Sequence, residues 1–177
     1  MRAFWAHGYE STSVNDLVRV TGLNRGSLYA AFTDKRTLFL TVLRHYDKHR
    51  QAEFLDRLAA LNAPKDAIMA AFEAAAHPST AGDDPSGCLA VNTALEVAPH
   101  DPEIRAFIQA AFARVEAFFF DRIEAAKADG DIRRPVAARE TAQALLGLFL
   151  GLRVLARSGA DPAALEAVTS QAMALLE

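Results

Sequence analysis

Cysteine is almost absent from this sequence, which contains a single one, Cys88, among 177 residues. One thiol excludes an intramolecular disulfide framework and a zinc site built only from cysteines, and it fits a reducing compartment. Membrane signals are also missing, because no apolar run reaches the roughly 18 residues of a membrane span and residues 1–9 lack the order of a signal peptide. We therefore expect a cytoplasmic protein with no membrane partner.

Net charge is small, at −3, with an isoelectric point near 6.0, so composition favours neither a general polyanion binder nor a basic membrane-surface protein. The charge is nevertheless unevenly divided. Residues 1–50 contain eight Lys and Arg against four Asp and Glu, and residues 51–177 contain eleven against eighteen. A basic N-terminal part therefore precedes an acidic body.

Strand signals are nearly absent, whereas helix-capping residues followed by apolar positions three and four apart recur along the whole chain. Two Asp-Pro pairs, beginning at Asp101 and Asp161, each place a capping carboxylate before a proline at a first helical position. The predicted fold class is all-α, with about nine helices. We expect an N-terminal three-helix domain over residues 1–46, a helical body over 47–177, and a loop over the Pro-, Ser-, Gly- and Asp-rich residues 78–87.

Two short helices joined by a tight turn are predicted near the N-terminus. Ser13 and Asp16 form a capping box for the first, Gly22 ends it, and Asn24 caps the second, over residues 25–32. A glycine in the turn lets the second helix cross the first, as in a helix-turn-helix. A corner between two helices in any helical protein can have the same spacing. The exposed side chains therefore distinguish a DNA-binding helix-turn-helix from a structural corner.

The second of these helices carries hydrogen-bond donors on one face and packing residues on the other. Arg25, Ser27 and Tyr29 can reach phosphates and base edges, while Leu28 and Phe32, four residues apart, hold the helix inward. Arg25 lies near the helix start, where it can donate two parallel hydrogen bonds to a guanine or, equally well, bind a phosphate. This chemistry favours DNA binding over a purely structural corner.

Lys35 begins the following helix. Its ammonium group and the free backbone N–H groups of that helix offer one positive surface to a phosphate. The alternative is an exposed lysine with no binding role.

Residues 7–14 (HGYESTSV) and 22–32 (GLNRGSLYAAF), followed by Lys35, resemble the DNA-binding domain of the TetR family of bacterial transcription regulators. The resemblance covers roughly the first 45 residues and is far more specific than a generic helix-turn-helix. It implies a regulator that binds a double-stranded DNA operator and dimerises through its last two helices. It also implies a set of DNA-binding residues, which are Thr12, Ser13, Asn24, Arg25, Ser27, Tyr29 and Lys35.

The sequence departs from the family pattern in two places. Ala30 and Ala31 stand where many relatives have a tyrosine or histidine that touches phosphate, so fewer backbone contacts are expected there. Met1 falls inside the first helix of the family, so we expect that helix to be truncated in this sequence.

The body is expected to hold a pocket for a small-molecule effector. Residues 87–96 resemble a segment that forms a helix beside the pocket in a subset of TetR relatives, and apolar stripes elsewhere could complete the lining. Ordinary core packing, or hydrogen bonding between helices for the polar members, is the alternative for each residue. The predicted ligand-binding residues are Phe72, Leu89, Asn92, Thr93, Phe107, Ala111, Phe118 and Phe149.

Small residues in the last two helices predict a homodimer interface. Glycines four residues apart in an apolar run allow another helix to come close, although packing within one chain would use them equally well. A twofold dimer is required if two recognition helices are to reach successive major grooves about 34 Å apart. The predicted interface residues are Gly147, Gly151, Leu155, Ala167 and Leu175. We therefore expect a repressor that binds an inverted-repeat operator as a homodimer and is released by a small hydrophobic effector.

Other classes of function fit the sequence less well. It has no Gly-rich phosphate loop, no nucleophile elbow and no evident carboxylate pair, so we expect neither an enzyme nor a bound cofactor. His45 and His49 are four residues apart but lack a third ligand, so no metal site is predicted. Two alternatives stay open: a sensor of electrophiles or oxidants that uses Cys88, and a helical adaptor that binds proteins and not DNA.

Overall fold

Helices make up all of the regular structure among the described residues of the computed structural model, which are 1–60, 63–77, 87–133 and 135–177. This confirms the predicted all-α class. No helix in the described part is long and apolar enough to cross a membrane. The α-helices are α1 (Arg2–His7), α2 (Val14–Thr21), α3 (Arg25–Ala31), α4 (Lys35–Tyr46), α5 (Glu53–Ala59), α6 (Pro64–Ala76), α7 (Leu89–Glu96), α8 (Pro102–Asp129), α9 (Ala138–Arg157) and α10 (Pro162–Ala174).

Between α4 and α5 the chain stays helical as a π-helical stretch, Asp47–Ala52. Residues 35–59 therefore form one continuous helix, and with it the described residues contain nine helices, as predicted. Such wide turns inside α-helices are often found at functional sites. Of the loop predicted over residues 78–87, only Gly87 lies within the described residues.

The predicted helix starts are confirmed at every N-cap that we named. The side chains of Ser13, Asn24, Asp101 and Asp161 each accept a hydrogen bond from a backbone N–H in the first turn, at 2.8–3.1 Å. Asp16 completes the capping box by accepting from the Ser13 N–H at 3.0 Å. These bonds satisfy donors that have no partner within the helix, which is why the helices begin at these positions.

Buried side chains form two hydrophobic clusters. The body cluster is centred on Phe72, Phe119 and Phe149, whose ring centroids lie 5.7–5.8 Å apart, and it joins α6, α8, α9 and α10. The N-terminal cluster contains Phe4 and Phe39, and it joins α1–α4 to α7 and to the first turns of α8. The helix-turn-helix is thus packed on the body by shared apolar side chains.

Candidate DNA-reading surface and ligand cavity

Gly22 makes the turn between α2 and α3 possible. Its backbone lies in the left-handed region, with φ of 70° and ψ of 2°, and its N–H donates to the Val18 carbonyl at 3.0 Å. A Cβ at this position would have nothing within 4 Å, so the requirement for glycine comes from the backbone alone.

Helix α3 presents its polar side chains to solvent, as predicted. Leu28 is buried against the N-terminal cluster, whereas Arg25, Ser27 and Tyr29 are exposed. The Arg25 guanidinium lies 5.9 Å from the centroid of the Tyr29 ring, one turn away. The helix therefore offers one outward face on which a cation, a hydroxyl and a phenol are close together.

The polar side chains near the starts of α2 and α3 already form hydrogen bonds with the backbone of the chain. Thr12 is 1% exposed, and its hydroxyl donates to the Gly8 carbonyl at 2.6 Å. In this geometry the Thr12 side chain braces the turn before α2, and its contact with DNA stays a prediction. Ser13 and Asn24 are exposed but cap α2 and α3.

Lys35 is half-buried at the start of α4. Its ammonium group lies 4.3 Å from the centroid of the Tyr9 ring and 3.4 Å from the Glu10 carbonyl oxygen. Stacking on the ring holds the charge beside the helix-turn-helix while leaving its other donors available.

Sequence reasoning missed the contacts that hold the N-terminal helices on the body. The Glu96 carboxylate at the end of α7 accepts from the backbone N–H groups of Tyr9 and Glu10, at 2.9 and 2.8 Å. Trp5 of α1 donates from its indole nitrogen to the Gly87 carbonyl at 3.0 Å. These pairs are more than 80 residues apart in sequence, so no local pattern indicates them.

A second unpredicted link is an ion pair between α4 and the start of α8. Asp101 accepts from Nε and Nη2 of Arg36, at 2.6 and 2.9 Å, and Glu103 accepts from the same guanidinium at 2.8 Å. The hydrogen bonds from Arg36 lower the pKa of Asp101 to about 2, and the hydrogen bonds to the two carboxylates raise the pKa of Arg36. Asp101 therefore joins the two parts of the chain while it also caps α8.

A cavity of about 800 Å³ lies between the two hydrophobic clusters. Phe54, Val115 and Phe149 of the body cluster line one side. Trp5 and Tyr46 of the N-terminal cluster line the other, so part of the wall belongs to the helices that carry the helix-turn-helix. The size suits a small organic molecule.

Two arginines in the cavity wall are stacked on aromatic rings. The Arg153 guanidinium carbon lies 4.7 Å from the Phe149 centroid and 5.9 Å from that of Phe54. That of Arg50, in the π-helical stretch, lies 5.6 Å from the Trp5 centroid. Cation–π contacts of this kind hold a guanidinium group against an aromatic wall.

The comparisons with known proteins agree with this architecture. Residues 1–42 match the family model described as bacterial regulatory proteins of the tetR family, and residues 64–172 match the tetracyclin repressor-like C-terminal domain. The chain belongs to the TetR family. The repressor ComR of Escherichia coli K12 is 32% identical over 166 residues, which is 91% of this chain and 77% of ComR.

Other TetR relatives support the same assignment. The uncharacterised regulator YezE of Bacillus subtilis 168 is 31% identical over 132 residues, or 75% of this chain and 68% of YezE. A cysteine-substituted form of the regulator CifR, solved with a 26-base-pair operator, is 28% identical with a TM-score of 0.84, covering 98% of this chain and 91% of CifR. This TetR protein is therefore a DNA-binding transcription regulator and not an enzyme, which overturns the alternative of an adaptor that does not bind DNA.

The pocket residues that we predicted for this TetR protein lie mostly elsewhere. Of the eight, only Phe149 lines the cavity. Phe72 and Phe118 belong to the body cluster, and Leu89 and Phe107 pack in the N-terminal cluster. An apolar stripe in sequence cannot distinguish a face against protein from one beside empty space. Phe72, Leu89, Thr93, Ala111 and Phe118 are buried, and Asn92 and Phe107 are half-buried.

Cys88 lines the cavity but is buried, with 7% of its surface exposed. Its sulfur lies 3.5 Å from the Tyr46 hydroxyl. Burial raises the pKa of Tyr46, the neighbouring thiol raises it further, and the nearby charge of Arg153 opposes the rise. Among the described residues no group of three or more His, Cys, Asp or Glu could hold a metal ion.

The residues that we predicted at the dimer interface share one property, which is that packing within the single chain leaves them open. A Cβ added to Gly147 or Gly151 would have nothing within 4 Å, so neither glycine is needed for packing within the chain. Leu155 and Leu175 are 37% and 42% exposed, and Ala167 is exposed as well. Helices α9 and α10 thus leave small and apolar residues open to solvent.

Proposed function

We propose that this TetR protein is a repressor that binds an inverted-repeat operator as a homodimer and leaves it when a small molecule occupies the cavity. The observation that carries the proposal is the position of the cavity between the two hydrophobic clusters. Its wall includes Trp5 of α1 and Tyr46 of α4, which belong to the N-terminal cluster together with the inward face of α3. A ligand there is well placed to alter how the DNA-reading helices sit on the body.

DNA contacts are assigned to the exposed face of α3 and to the start of α4. Arg25, Ser27 and Tyr29 enter the major groove, and Arg25 reads a guanine edge or holds a phosphate. Lys35 contacts a phosphate from its position over the Tyr9 ring. Ser13 and Asn24 contribute through the backbone at the helix starts that they cap, because their side-chain oxygens already accept hydrogen bonds there.

The dimer is assigned to the exposed face of α9 and α10. The small residues Gly147, Gly151 and Ala167 let a second copy approach closely, and Leu155 and Leu175 are the apolar side chains that this contact would bury. A twofold dimer through this face would carry two copies of α3, as an inverted repeat requires.

Release needs no more than a difference in ligand affinity between two conformations. If the ligand binds the released conformation about 100-fold more tightly than the DNA-bound one, it shifts the equilibrium by about 2.7 kcal/mol. ComR is named a repressor, and CifR is named in complex with operator DNA. These names support repression as the direction of control.

Fluorescence anisotropy with a labelled fragment of the protein's own promoter tests the DNA contacts. Arg25→Ala is expected to weaken binding about tenfold or more, because one charge-assisted contact to a base or phosphate is lost. Arg133→Ala, which removes an exposed arginine of the body, is the matched control and should leave binding unchanged. Equal affinities of the Arg25 variant and the wild type would remove α3 from the interface.

A thiol-based sensor is the second candidate, since Cys88 lines the cavity and an electrophile that enters can reach its sulfur. Treatment with a maleimide followed by the anisotropy assay distinguishes the two. Release that persists in Cys88→Ser rejects the thiol sensor and leaves the reversible effector as the explanation.

A further inference from the structure

The charge of the cavity is opposite to that of the body that contains it. Residues 51–177 carry more acidic than basic side chains, yet the described lining residues include four arginines and one histidine and no carboxylate. The arginines are Arg2, Arg50, Arg57 and Arg153. A wall of this composition attracts anions and repels cations.

Four arginines elsewhere on the described chain are paired with carboxylates. Arg19, Arg36, Arg44 and Arg114 each form an ion pair with a carboxylate. No ion pair joins a cavity arginine to any described residue; Arg2, Arg50 and Arg57 are exposed, whereas Arg153 is half-buried. Among the described residues, no carboxylate therefore neutralises the positive charge of this wall.

Arg153 is the arginine best placed to meet a ligand inside the cavity. It is half-buried, and its Nε atom is inaccessible to solvent and has no hydrogen-bond partner among the described residues. An unsatisfied buried donor is costly, and a charged one more so. The contacts with the Phe149 and Phe54 rings hold the guanidinium beside the aromatic wall before a ligand arrives.

We propose that the effector is an amphipathic organic carboxylate whose carboxylate binds Arg153 while its apolar part packs on the aromatic wall. A planar carboxylate matches the guanidinium fork with two parallel hydrogen bonds. Phe54, Phe112 and Phe149 supply apolar surface beside it, and Arg50 over Trp5 adds a second positive charge from the more exposed side. The inference rests on the proposed function, since it names the class of ligand for the same cavity.

The fluorescence of Trp5 reports ligand binding directly, because Trp5 is the only tryptophan of the chain and lines the cavity. The probes are phenylbutyrate and decanoate, each compared with the alcohol of the same skeleton, with titration calorimetry in parallel. Both carboxylates are expected to bind at least about tenfold more tightly than their alcohols, as a charge-assisted bidentate contact implies. Alcohols that bind as tightly as the acids would overturn the proposal.

Variants separate a ligand contact from a structural role. Arg153→Met keeps the apolar stem and should weaken carboxylate binding about 10- to 100-fold while changing alcohol binding less than about threefold. Arg153→Lys should recover part of the loss. Arg122→Met is the control, because Arg122 is also half-buried with an unpartnered Nε but does not line the cavity, and it should bind like the wild type. Equal losses for acids and alcohols in Arg153→Met refute the carboxylate contact.

Should Arg153→Met fail to fold, as judged by circular dichroism, Arg50→Met at an exposed position tests the same charge, with a several-fold loss expected for acids only. The operator assay distinguishes this inference from the proposed function. If the acids bind at Arg153 but do not release the protein from DNA, the anion site is supported and the proposed release from DNA by an effector is rejected. Release by the alcohols alone keeps effector release and rejects the anion site.

Discussion

The ion pair between Arg36 and Asp101 allows a quantitative test of how the DNA-reading helices are held on the body. The Asp101 side chain is 16% exposed, and that of Arg36 is 40% exposed. Asp101→Asn keeps an oxygen that can cap α8 but removes the charge. Since Arg36 retains Glu103 as a partner, we expect a loss of only about 1 kcal/mol, between the values for exposed and buried pairs. Asp101→Ala also removes the cap of α8, so it should lower the free energy of unfolding by about 2 kcal/mol.

The pH dependence of stability provides the signature of this pair. Because the pKa of Asp101 falls from 3.8 to about 2 in the folded protein, its contribution is fully present above pH 3.8 and is lost as the pH falls towards 2. The difference in unfolding free energy between wild type and Asp101→Asn should therefore shrink over that window.

Urea unfolding followed by circular dichroism measures these differences, and a double-mutant cycle with Arg36→Gln isolates the pair. A coupling energy of about 1 kcal/mol is expected at pH 7. A coupling energy below about 0.3 kcal/mol, or a difference that does not change between about pH 4 and pH 2.5, would show that the pair does not hold the two parts together in solution.

Two further stability predictions use the same assay. Gly8→Ala should cost about 2–4 kcal/mol, because its φ of 83° and ψ of 174° suit glycine almost exclusively and its Cβ would lie 2.8 Å from the Glu96 carboxylate. The matched Gly22→Ala has a left-handed backbone but open space, so about 1 kcal/mol is expected, and equal losses would argue against the Glu96 contact. Phe119→Ala should cost about 3–5 kcal/mol because the ring is fully buried, whereas a smaller loss is expected for the partly buried Phe120.

The helices and their starts could be predicted from the sequence because the physics that sets them is local. A capping box needs only Ser13 and Asp16 three residues apart, and a left-handed turn needs only Gly22. The exposed face of α3 follows from the helical period once Leu28 is placed inward. The resemblance to the TetR family rests on these same local features, which is why it could be stated from about 45 residues.

The cavity could not be predicted in the same way, because its shape depends on how distant helices pack. Aromatic stripes singled out Phe72 and Phe118, which are buried, and passed over Trp5 and Phe54, which line empty space. A usable signal did exist in Arg153. It is the only charged residue between positions 142 and 156, in a run that is otherwise apolar apart from one glutamine. Because charged side chains are rarely buried without a partner, an arginine in such a run indicates a binding or pairing role.

Residues 1–46, which we predicted to be the DNA-binding domain, share a hydrophobic cluster with the body. Phe4 and Phe39, from the first 46 residues, share their cluster with Leu89 of α7 and Ile104 of α8. Under the proposed function, a ligand would therefore not swing the DNA-reading helices as a free arm. It would change how α7 and the start of α8 pack against α1 and α4, because close-packed interfaces of this kind switch between discrete arrangements. The hydrogen bonds of Glu96 and Asp101 lie on that same interface, so the effector that we propose and these polar contacts would act on one structural element.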